Sequence, residues 1–536
     1  MREVVERVVV ASLFLAACLL FTHDFLLRSG ALVDVSFGQW AADFLSGDWG
    51  FSRRTGLPVL ANIAARVPLS LSMLTLALLQ MAVLLGAAHL LRFWMRDPAR
   101  PDRAGIADVC AEIACALPAF AAAVLVALVF SEWLGWFPAV VLFPPADDPR
   151  AWLSAIALPS MTLALATWGF LWTRRPRDLT TSKDRRGPVL ETIAVALGGL
   201  LIVEVTYALP GVGYWFLFAL RFNDQPVLVG VSLPLLALAA GAWCVLATTR
   251  NTFDIDRESP APAAAPHVLA RQFMHLAWLP VAWLSLLLFG ALAGSALGLP
   301  GPDEIDVSRL HSGPEPGHWL GTDALGRDML ARMLAGVLPP VLMAIAAAVI
   351  TVVAGVAIAF THVSSASSVG RWLDTGVSLL ASLPLVLTAV CGAYFAGSGV
   401  TGMLVALCLA RLRMGLELGR SFIATMRGRR TSGATGAGAR IGGVRVAQAL
   451  VHCLVAAIVI EGTLGFLGLV PAFAFSWGDA IRSGREHLAY APQMSLIPVV
   501  MVVATLWSCQ RLNTALDALA ALWTHPGRRD ETGDRG

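Results

Sequence analysis

The stretch Glu204-Val205-Thr206-Tyr207-Ala208-Leu209-Pro210-Gly211 recurs later in the chain as Glu461-Gly462-Thr463-Leu464-Gly465-Phe466-Leu467-Gly468. Each copy has a Glu, a Thr two positions on and a Gly seven positions on, and each closes an apolar run. The carboxylate therefore lies in or near a membrane, where an ionisable group is unfavourable unless it is paired or functional. A repeat about half a chain apart predicts two related membrane halves with a translocation path between them, as in transporters built from repeats.

The composition places the whole chain in the membrane class. Of its 536 residues, 57% are hydrophobic and 14% charged, and the mean hydropathy is +0.71. A soluble globule cannot bury so much apolar surface, so we predict an all-α integral membrane protein. Apolar runs near the length of a bilayer crossing predict about twelve transmembrane helices, six in each half. The runs lie at 7–27, 68–93, 108–132, 152–173, 188–208, 227–247, 273–298, 338–361, 373–396, 398–419, 447–470 and 493–512.

The two halves are separated by a segment of different composition. Residues 251–272 contain Ser-Pro-Ala-Pro-Ala-Ala-Ala-Pro at 259–266, which is typical of an extended spacer. We therefore predict a first half at 1–250, a linker at 251–272 and a second half at 273–536. A longer polar segment follows the first helix of each half, at 27–67 and at 299–336, and predicts a small subdomain on the opposite side of the membrane.

The basic residues predict the orientation. Arginines cluster at 92–103, 174–186, 427–445 and 528–529, in loops that an even number of spans places on one side. By the positive-inside rule this side is the cytoplasm, and both termini lie there. The net charge of +3 is accounted for by these loops and does not favour nucleic acid as a partner.

One motif of the second half resembles a known family. Leu320-Gly321-Thr322-Asp323-Ala324-Leu325-Gly326-Arg327-Asp328 is similar to the signature that opens the second permease subunit of oligopeptide, dipeptide and nickel ABC importers. Glu461, Leu464 to Leu469 and Ser476-Trp477-Gly478 resemble a later stretch of the same subunit. The resemblance implies an extracytoplasmic signature that consists of Gly321, Thr322, Asp323, Gly326, Arg327 and Asp328.

The first half resembles the partner subunit of the same importers. The similar segments are 47–52, Leu117 to Phe120, Leu134 to Pro138, and the block of Glu204, Pro210 to Gly213, Arg221, Asp224 and Pro226. The resemblance implies a fused heterodimeric permease in a bacterial inner membrane. It also implies that the repeated block shapes an outer gate and the translocation path, through Glu204, Pro210, Gly211, Gly213, Glu461 and Gly468.

Permeases of this kind carry a cytoplasmic Glu-Ala-Ala…Gly helix that docks into an ATPase. Ser432 to Gly438 stands at the corresponding place and keeps Ala434 and Gly438 as candidate coupling residues, without the Glu. Its additional glycines disfavour a stable helix, since each costs about 1 kcal/mol relative to Ala. The loop at 174–188 lacks the pattern, and we interpret it as a basic loop that sets topology.

The resemblance implies two kinds of partner, cytoplasmic ATPase subunits and a periplasmic solute-binding protein, besides membrane lipid. The chain has no Walker loop of its own, because its single lysine, Lys183, follows Ser182 and not Gly. We predict no enzymatic activity, and the scattered Cys and His residues predict no metal or cofactor. The transported solute is left open.

The sequence leaves open two alternatives to an ATP-driven importer. One is a proton-coupled secondary transporter with Glu112, Glu204 and Glu461 as relays. The other is a degenerate, non-transporting membrane partner. A further charged group, Arg411, Arg413, Glu417 and Arg420, is predicted at the cytoplasmic end of the tenth apolar run, where Arg413 and Glu417 are spaced to pair.

Overall fold

The computed structural model describes most of the chain. The described residues are 35–94, 106–137, 147–173, 186–235, 266–294, 296–364, 399–432, 436–470 and 475–524, with scattered positions in 9–30, 237–241 and 376–396. Within them the secondary structure is helical apart from three isolated β-bridges. The all-α class is thereby confirmed.

Sixteen helices can be numbered along the described residues. They are α1 Phe37–Ser46, α2 Val59–Ala64, α3 Val67–Trp94, α4 Ile106–Cys115, α5 Ala119–Ala127, α6 Pro149–Thr173, α7 Arg186–Thr206, α8 Val212–Arg221, α9 Gln225–Leu235, α10 Pro266–Ala293, α11 Met329–Ala335, α12 Leu338–Ser364, α13 Val400–Ser432, α14 Gly436–Phe466, α15 Trp477–Arg485 and α16 Gln493–Thr524. A π-helical turn, Leu128–Trp133, continues α5, and a 3-10 turn lies at Val307–Arg309.

Five helical stretches are long and apolar enough to cross a bilayer, and a bent pair makes a sixth. Since this finding comes from the described residues alone, the number twelve and the domain boundaries stay predictions. The five stretches are Val59–Trp94, Pro149–Thr173, Met329–Phe360, Ile441–Phe466 and Gln493–Ala520. Together with the shorter apolar helices they make the chain a multi-pass membrane protein.

The predicted run at 108–132 is not one straight helix. Its two parts, α4 and α5, meet at an angle of 113°. Pro118 stands at the break and caps α5 with an extended backbone. A proline has no N–H and disfavours a helical conformation in the residue before it, so a helix commonly ends there.

The predicted position of the charged group on the tenth apolar run is wrong. Helix α13 continues to Ser432, so Arg413 and Glu417 lie near its middle and not at its end. Their predicted pairing is confirmed, with 3.2 Å between Arg413 Nε and Glu417 Oε1. Both side chains are exposed, and such a pair contributes little to stability.

Close packing of α12 against α13 depends on a glycine pair, Gly415 and Gly419, for which the hydropathy pattern gives no signal. A Cβ on Gly415 would lie 2.0 Å from the Thr351 carbonyl oxygen, and one on Gly419 would lie 2.5 Å from the Gly355 oxygen. The two glycines are four residues apart, the spacing that lets membrane helices approach at backbone distance.

The largest apolar core joins the two halves. Its fully buried members include Phe120 and Phe216 from the first half, and Leu464 and Trp477 from the second. Phe120 stacks on Phe466 with 5.7 Å between ring centroids. A Cβ on Gly462 would lie 2.8 Å from the Phe120 ring, so this glycine allows the ring to reach α14.

Candidate functional site

Glu204 lies at the end of α7 and binds the start of α8. Its side chain is fully buried, and its Oε2 accepts hydrogen bonds from the backbone N–H groups of Gly213 at 2.6 Å and Tyr214 at 3.2 Å. The first N–H groups of a helix have no partner inside the helix and favour negative charge. The carboxylate therefore caps α8 from a neighbouring helix.

Ser70 of α3 completes this arrangement. Its hydroxyl donates to Glu204 Oε1 at 2.5 Å and accepts from the N–H of Val212 at 3.0 Å. Three backbone N–H groups at the start of α8 and both oxygens of Glu204 are thus satisfied by one network. We call Glu204, Ser70 and the first turn of α8 the first cap module.

The turn before α8 explains the glycines of the repeated stretch. Ala208 has a φ of +51° and reverses the chain after α7, and Pro210 follows it. A Cβ on Gly211 would lie 2.2 Å from the Glu204 carboxyl carbon, and one on Gly213 would lie 2.6 Å from the Leu201 Cα. The backbone can approach the carboxylate only because these positions lack side chains.

Glu461 lies at the corresponding place on α14, with a different network. Its side chain is buried and hydrogen-bonded to the Ser476 hydroxyl, while its Oε1 has no hydrogen-bond partner among the described residues. Ser476 itself caps α15, accepting from Gly478 N at 3.1 Å and Asp479 N at 3.4 Å. We call Glu461, Ser476 and the first turn of α15 the second cap module.

Close approach also marks the second cap module. A Cβ on Gly465 would lie 2.1 Å from the Ser476 hydroxyl, and one on Gly478 would lie 1.8 Å from the Gly462 carbonyl oxygen. Gly468 has a φ of +71° and ends the stretch next to Arg221 of the first half. The repeat thus predicted the turn but did not reveal the serine that separates Glu461 from the helix it supports.

The signature at 320–328 is a self-contained turn. Asp323 accepts hydrogen bonds from the backbone N–H groups of Leu325 and Arg327 and pairs with the Arg327 guanidinium at 2.8 Å. Asp328 caps α11 through the Ala331 N–H at 2.7 Å and contacts His318 Nδ1 at 2.8 Å. All these partners lie in the second half.

The loop at 306–313 packs against the signature and forms hydrogen bonds with it. Buried Thr322 donates to the Arg309 carbonyl and accepts from the Ser312 N–H at 3.0 Å. Gly321 and Gly326 have φ values of +77° and +75°, and a Cβ on Gly326 would overlap the Asp306 carbonyl oxygen. Asp306 lies outside the membrane segments, and hydrogen bonds from Ser308 lower the pKa of its carboxyl.

In the first half, Asp224 follows the C-terminal end of α8 and binds the polar segment of that half, as Asp323 and Asp328 bind the polar segment of the second half. Its carboxylate accepts from the Ser52 hydroxyl at 2.5 Å and from the backbone N–H groups of Arg53 and Arg54. The polar segment at 27–67 is thereby fastened to the end of the short helix. The resemblance included Asp224 in its motif but did not indicate this contact.

In each half an arginine stacks on an aromatic ring near the cap module. Arg66 lies 4.1 Å from the ring centroid of Trp215 in α8, and Arg332 lies 4.1 Å from that of Phe475, just before α15. Both arginines precede the first long helix after the polar segment of their half. The matching contacts extend the repeat beyond the residues that the sequence alone relates.

The candidate coupling residues are described only in part. Gly438 lies in the first turn of α14, and Ala434 and most of the loop at 174–188 lie outside the described residues. The expectation that the glycines disfavour a helix is wrong from Gly436 onward, because α14 begins there.

The three candidate relay glutamates have separate partners. Glu112 pairs with Arg511 of the second half at 2.6 Å, Glu204 binds α8, and Glu461 contacts Ser476. No hydrogen bond joins one of these carboxylates to another within the described part of the chain. In that part no three His, Cys, Asp or Glu side chains come together in a metal-binding arrangement.

Comparison with known proteins finds sequence similarity to peptide permeases. No protein-family model matches the chain. It is 32% identical over 263 residues to a peptide permease protein of Brucella suis biovar 1, a match that covers 45% of this chain and 85% of the relative. It is 27% identical over 233 residues to a peptide transport system permease protein of Brucella abortus, covering 37% of this chain and 72% of the relative.

Proposed function

Since the chain belongs to the family of these peptide permeases, we propose that it is the membrane-spanning part of an ATP-driven peptide importer with both permease halves in one polypeptide. The observation that carries the proposal is the pair of cap modules, one in each half, whose short helices α8 and α15 both contribute buried residues to the shared core. One module in each half is the arrangement that two related permease subunits joined in one chain would give.

The extent of the matches supports the fusion. Each relative is covered over most of its own length, and each match spans less than half of this chain. Two units of that size account for the length of this polypeptide. The proposed halves are 1–250 and 273–536, joined by the linker at 251–272.

In the proposed mechanism the halves alternate between two arrangements around a central path. Separate cytoplasmic ATPase subunits bind ATP, draw the cytoplasmic loops together and shift this equilibrium, because ATP binds the two arrangements with different affinity. A periplasmic binding protein delivers the peptide from the outer side. The chain lies in a bacterial inner membrane with both termini in the cytoplasm.

The proton-coupled alternative is less favoured by the contacts of the glutamates. A relay residue must exchange its proton with water or with the next group in a chain. Glu204 instead accepts three hydrogen bonds that hold a helix, and Glu112 is paired with an arginine. These contacts are suited to a structural role.

The test is peptide uptake by cells that lack the chain, with and without its restoration. We expect a labelled tripeptide to enter only when the chain is present together with an ATPase that co-purifies with it in mild detergent. Gly438→Trp is the coupling variant, and Gly443→Trp, five residues further along the same helix, is its control. Uptake that persists after ATP depletion and stops with a proton uncoupler would overturn the proposal in favour of the secondary transporter.

A further inference from the structure

Two arginines cross between the halves in reciprocal fashion. Arg221, in the last turn of α8, donates to the Leu467 carbonyl at 2.6 Å. Arg485, in the last turn of α15, donates to the Thr206 carbonyl. Each arginine thus leaves the short helix of its own half and reaches the end of the glutamate helix of the other half.

The acceptors are suited to a cation. Thr206 is the last residue of α7, and Leu467 directly follows Phe466, the last residue of α14. The final carbonyl groups of a helix carry the negative end of its dipole and lack partners in the next turn. Gly468 lies beside this contact, since a Cβ there would lie 3.1 Å from the Arg221 guanidinium.

An ion pair between the halves lies at the opposite end of the interface. Glu112 on α4 pairs with Arg511 on α16, whose guanidinium also lies 5.3 Å from the ring centroid of Trp507. Neither charged side chain is more than one third exposed. This pair therefore joins the same two halves as Arg221 and Arg485, on different helices.

The length of α3 gives the distance between the outer and inner contacts in the first half. Ser70 near its start contacts Glu204, and Arg92 near its end approaches Asp108, one turn from Glu112, at 3.9 Å. At 1.5 Å per residue these positions are about 33 Å apart, close to the thickness of a bilayer core. In the second half, Ser495 near the start of α16 contacts α15. Arg511 lies further along the same helix, at a distance of about 24 Å from Ser495.

We propose that Arg221 and Arg485 form the outer latch of the translocation path and that the Glu112–Arg511 pair forms the inner latch. The inference rests on the proposed function and on its orientation, which places the cap modules at the outer face. Alternating access then requires that one latch opens while the other holds the halves together. The structure has both latches closed.

The outer latch has the properties of a contact that can open. Arg221 is exposed and Arg485 half-buried, so water can replace the carbonyl when the halves separate. A carbonyl carries no net charge, and its loss leaves no unpaired buried ion. Arg332 differs, because it is buried under Phe475 and contacts Asp303 and Asp323 of its own half.

The test measures the distance between the halves at both ends. Spin labels on a noncanonical amino acid at Phe222 and Tyr490 report the outer end, and labels at Val109 and Thr514 report the inner end. The purified chain in nanodiscs is compared with Arg221→Met/Arg485→Met and with Arg482→Met as the control. Arg482 lies on the same helix as Arg485 but pairs with Asp479 of its own half at 2.6 Å.

We expect the double variant to gain a second, longer outer distance with the inner distance unchanged, and Glu112→Gln to do the reverse. If the double variant is not recovered from membranes, Arg221→Lys/Arg485→Lys replaces it and is expected to show the longer population to a smaller extent. Outer distances that match those of the Arg482→Met control would overturn the latch. Absence of peptide uptake by the unmodified chain would overturn the proposed function instead, whatever the distances show.

Discussion

The two cap modules differ in how the glutamate reaches the short helix. Glu204 touches the N–H groups of α8 directly, and both of its oxygens accept hydrogen bonds. Glu461 contacts Ser476, and it is the Ser476 hydroxyl that binds the N–H groups of α15. One carboxylate oxygen of Glu461 has no hydrogen-bond partner within the described residues. The same residue in a repeated motif therefore has a capping role in one half and an indirect supporting role in the other.

The largest effect is expected from Glu204→Gln. The amide presents N–H groups toward either Ser70 or the two backbone N–H groups, so at least one buried donor loses its acceptor. Lost hydrogen bonds to a charged group and an unsatisfied donor together lower the free energy of unfolding by about 3 kcal/mol. Heating in detergent followed by size-exclusion chromatography measures the loss, and peptide uptake should fall at least roughly tenfold if this stability is needed for transport.

A smaller effect is expected from Gly211→Ala. The new Cβ would lie 2.2 Å from the Glu204 carboxyl carbon, which must move away from α8. Overpacking of this kind destabilises by about 1–3 kcal/mol. The matched change is Gly468→Ala, whose Cβ meets only the flexible end of Arg221 but whose φ of +71° disfavours Ala. If Gly468→Ala were the more harmful of the two, tight packing on Glu204 would not be the dominant constraint.

Ser476→Ala tests the serine that stands between Glu461 and α15. Loss of a capping hydroxyl costs about 1 kcal/mol of stability. Ser70→Ala is the control from the first half, where the Glu204 carboxylate still caps α8 after the change. We expect Ser476→Ala to lower the melting temperature more than Ser70→Ala, and equal losses would show that the two modules share one capping mechanism.

The smallest effect is expected from Glu461→Gln. A glutamine oxygen can keep the hydrogen bond with Ser476, and its amide replaces an oxygen that has no partner among the described residues. The change in stability should stay within about 1 kcal/mol. A loss as large as that of Glu204→Gln, measured in the same thermal assay, would remove the distinction between the modules.

Much of the architecture could be predicted from residue patterns. Hydropathy indicated the membrane class, and the repeat located both glutamates at the ends of helices, because apolar length and turn residues are local properties. Other features have a local sequence signal that hydropathy does not use, such as the spacing of Gly415 and Gly419 and the proline before Ala119. The predicted position of the charged group on α13 was wrong because an apolar run marks only the apolar part of a helix. The helix itself continues through polar residues to Ser432.

The sequence by itself determined that the chain crosses a membrane, and its repeated stretch predicts two related halves, since both inferences follow from composition and local pattern. Only the tertiary structure decided which groups meet between them. Arg221 and Leu467 are 246 residues apart, and Arg485 and Thr206 are 279 apart, so no local spacing relates them. Their contacts exist because the packed core brings the end of each glutamate helix beside the short helix of the other half. The different partners of Glu204 and Glu461 have the same origin, because identical residues in a repeat acquire their roles from the neighbours that folding supplies.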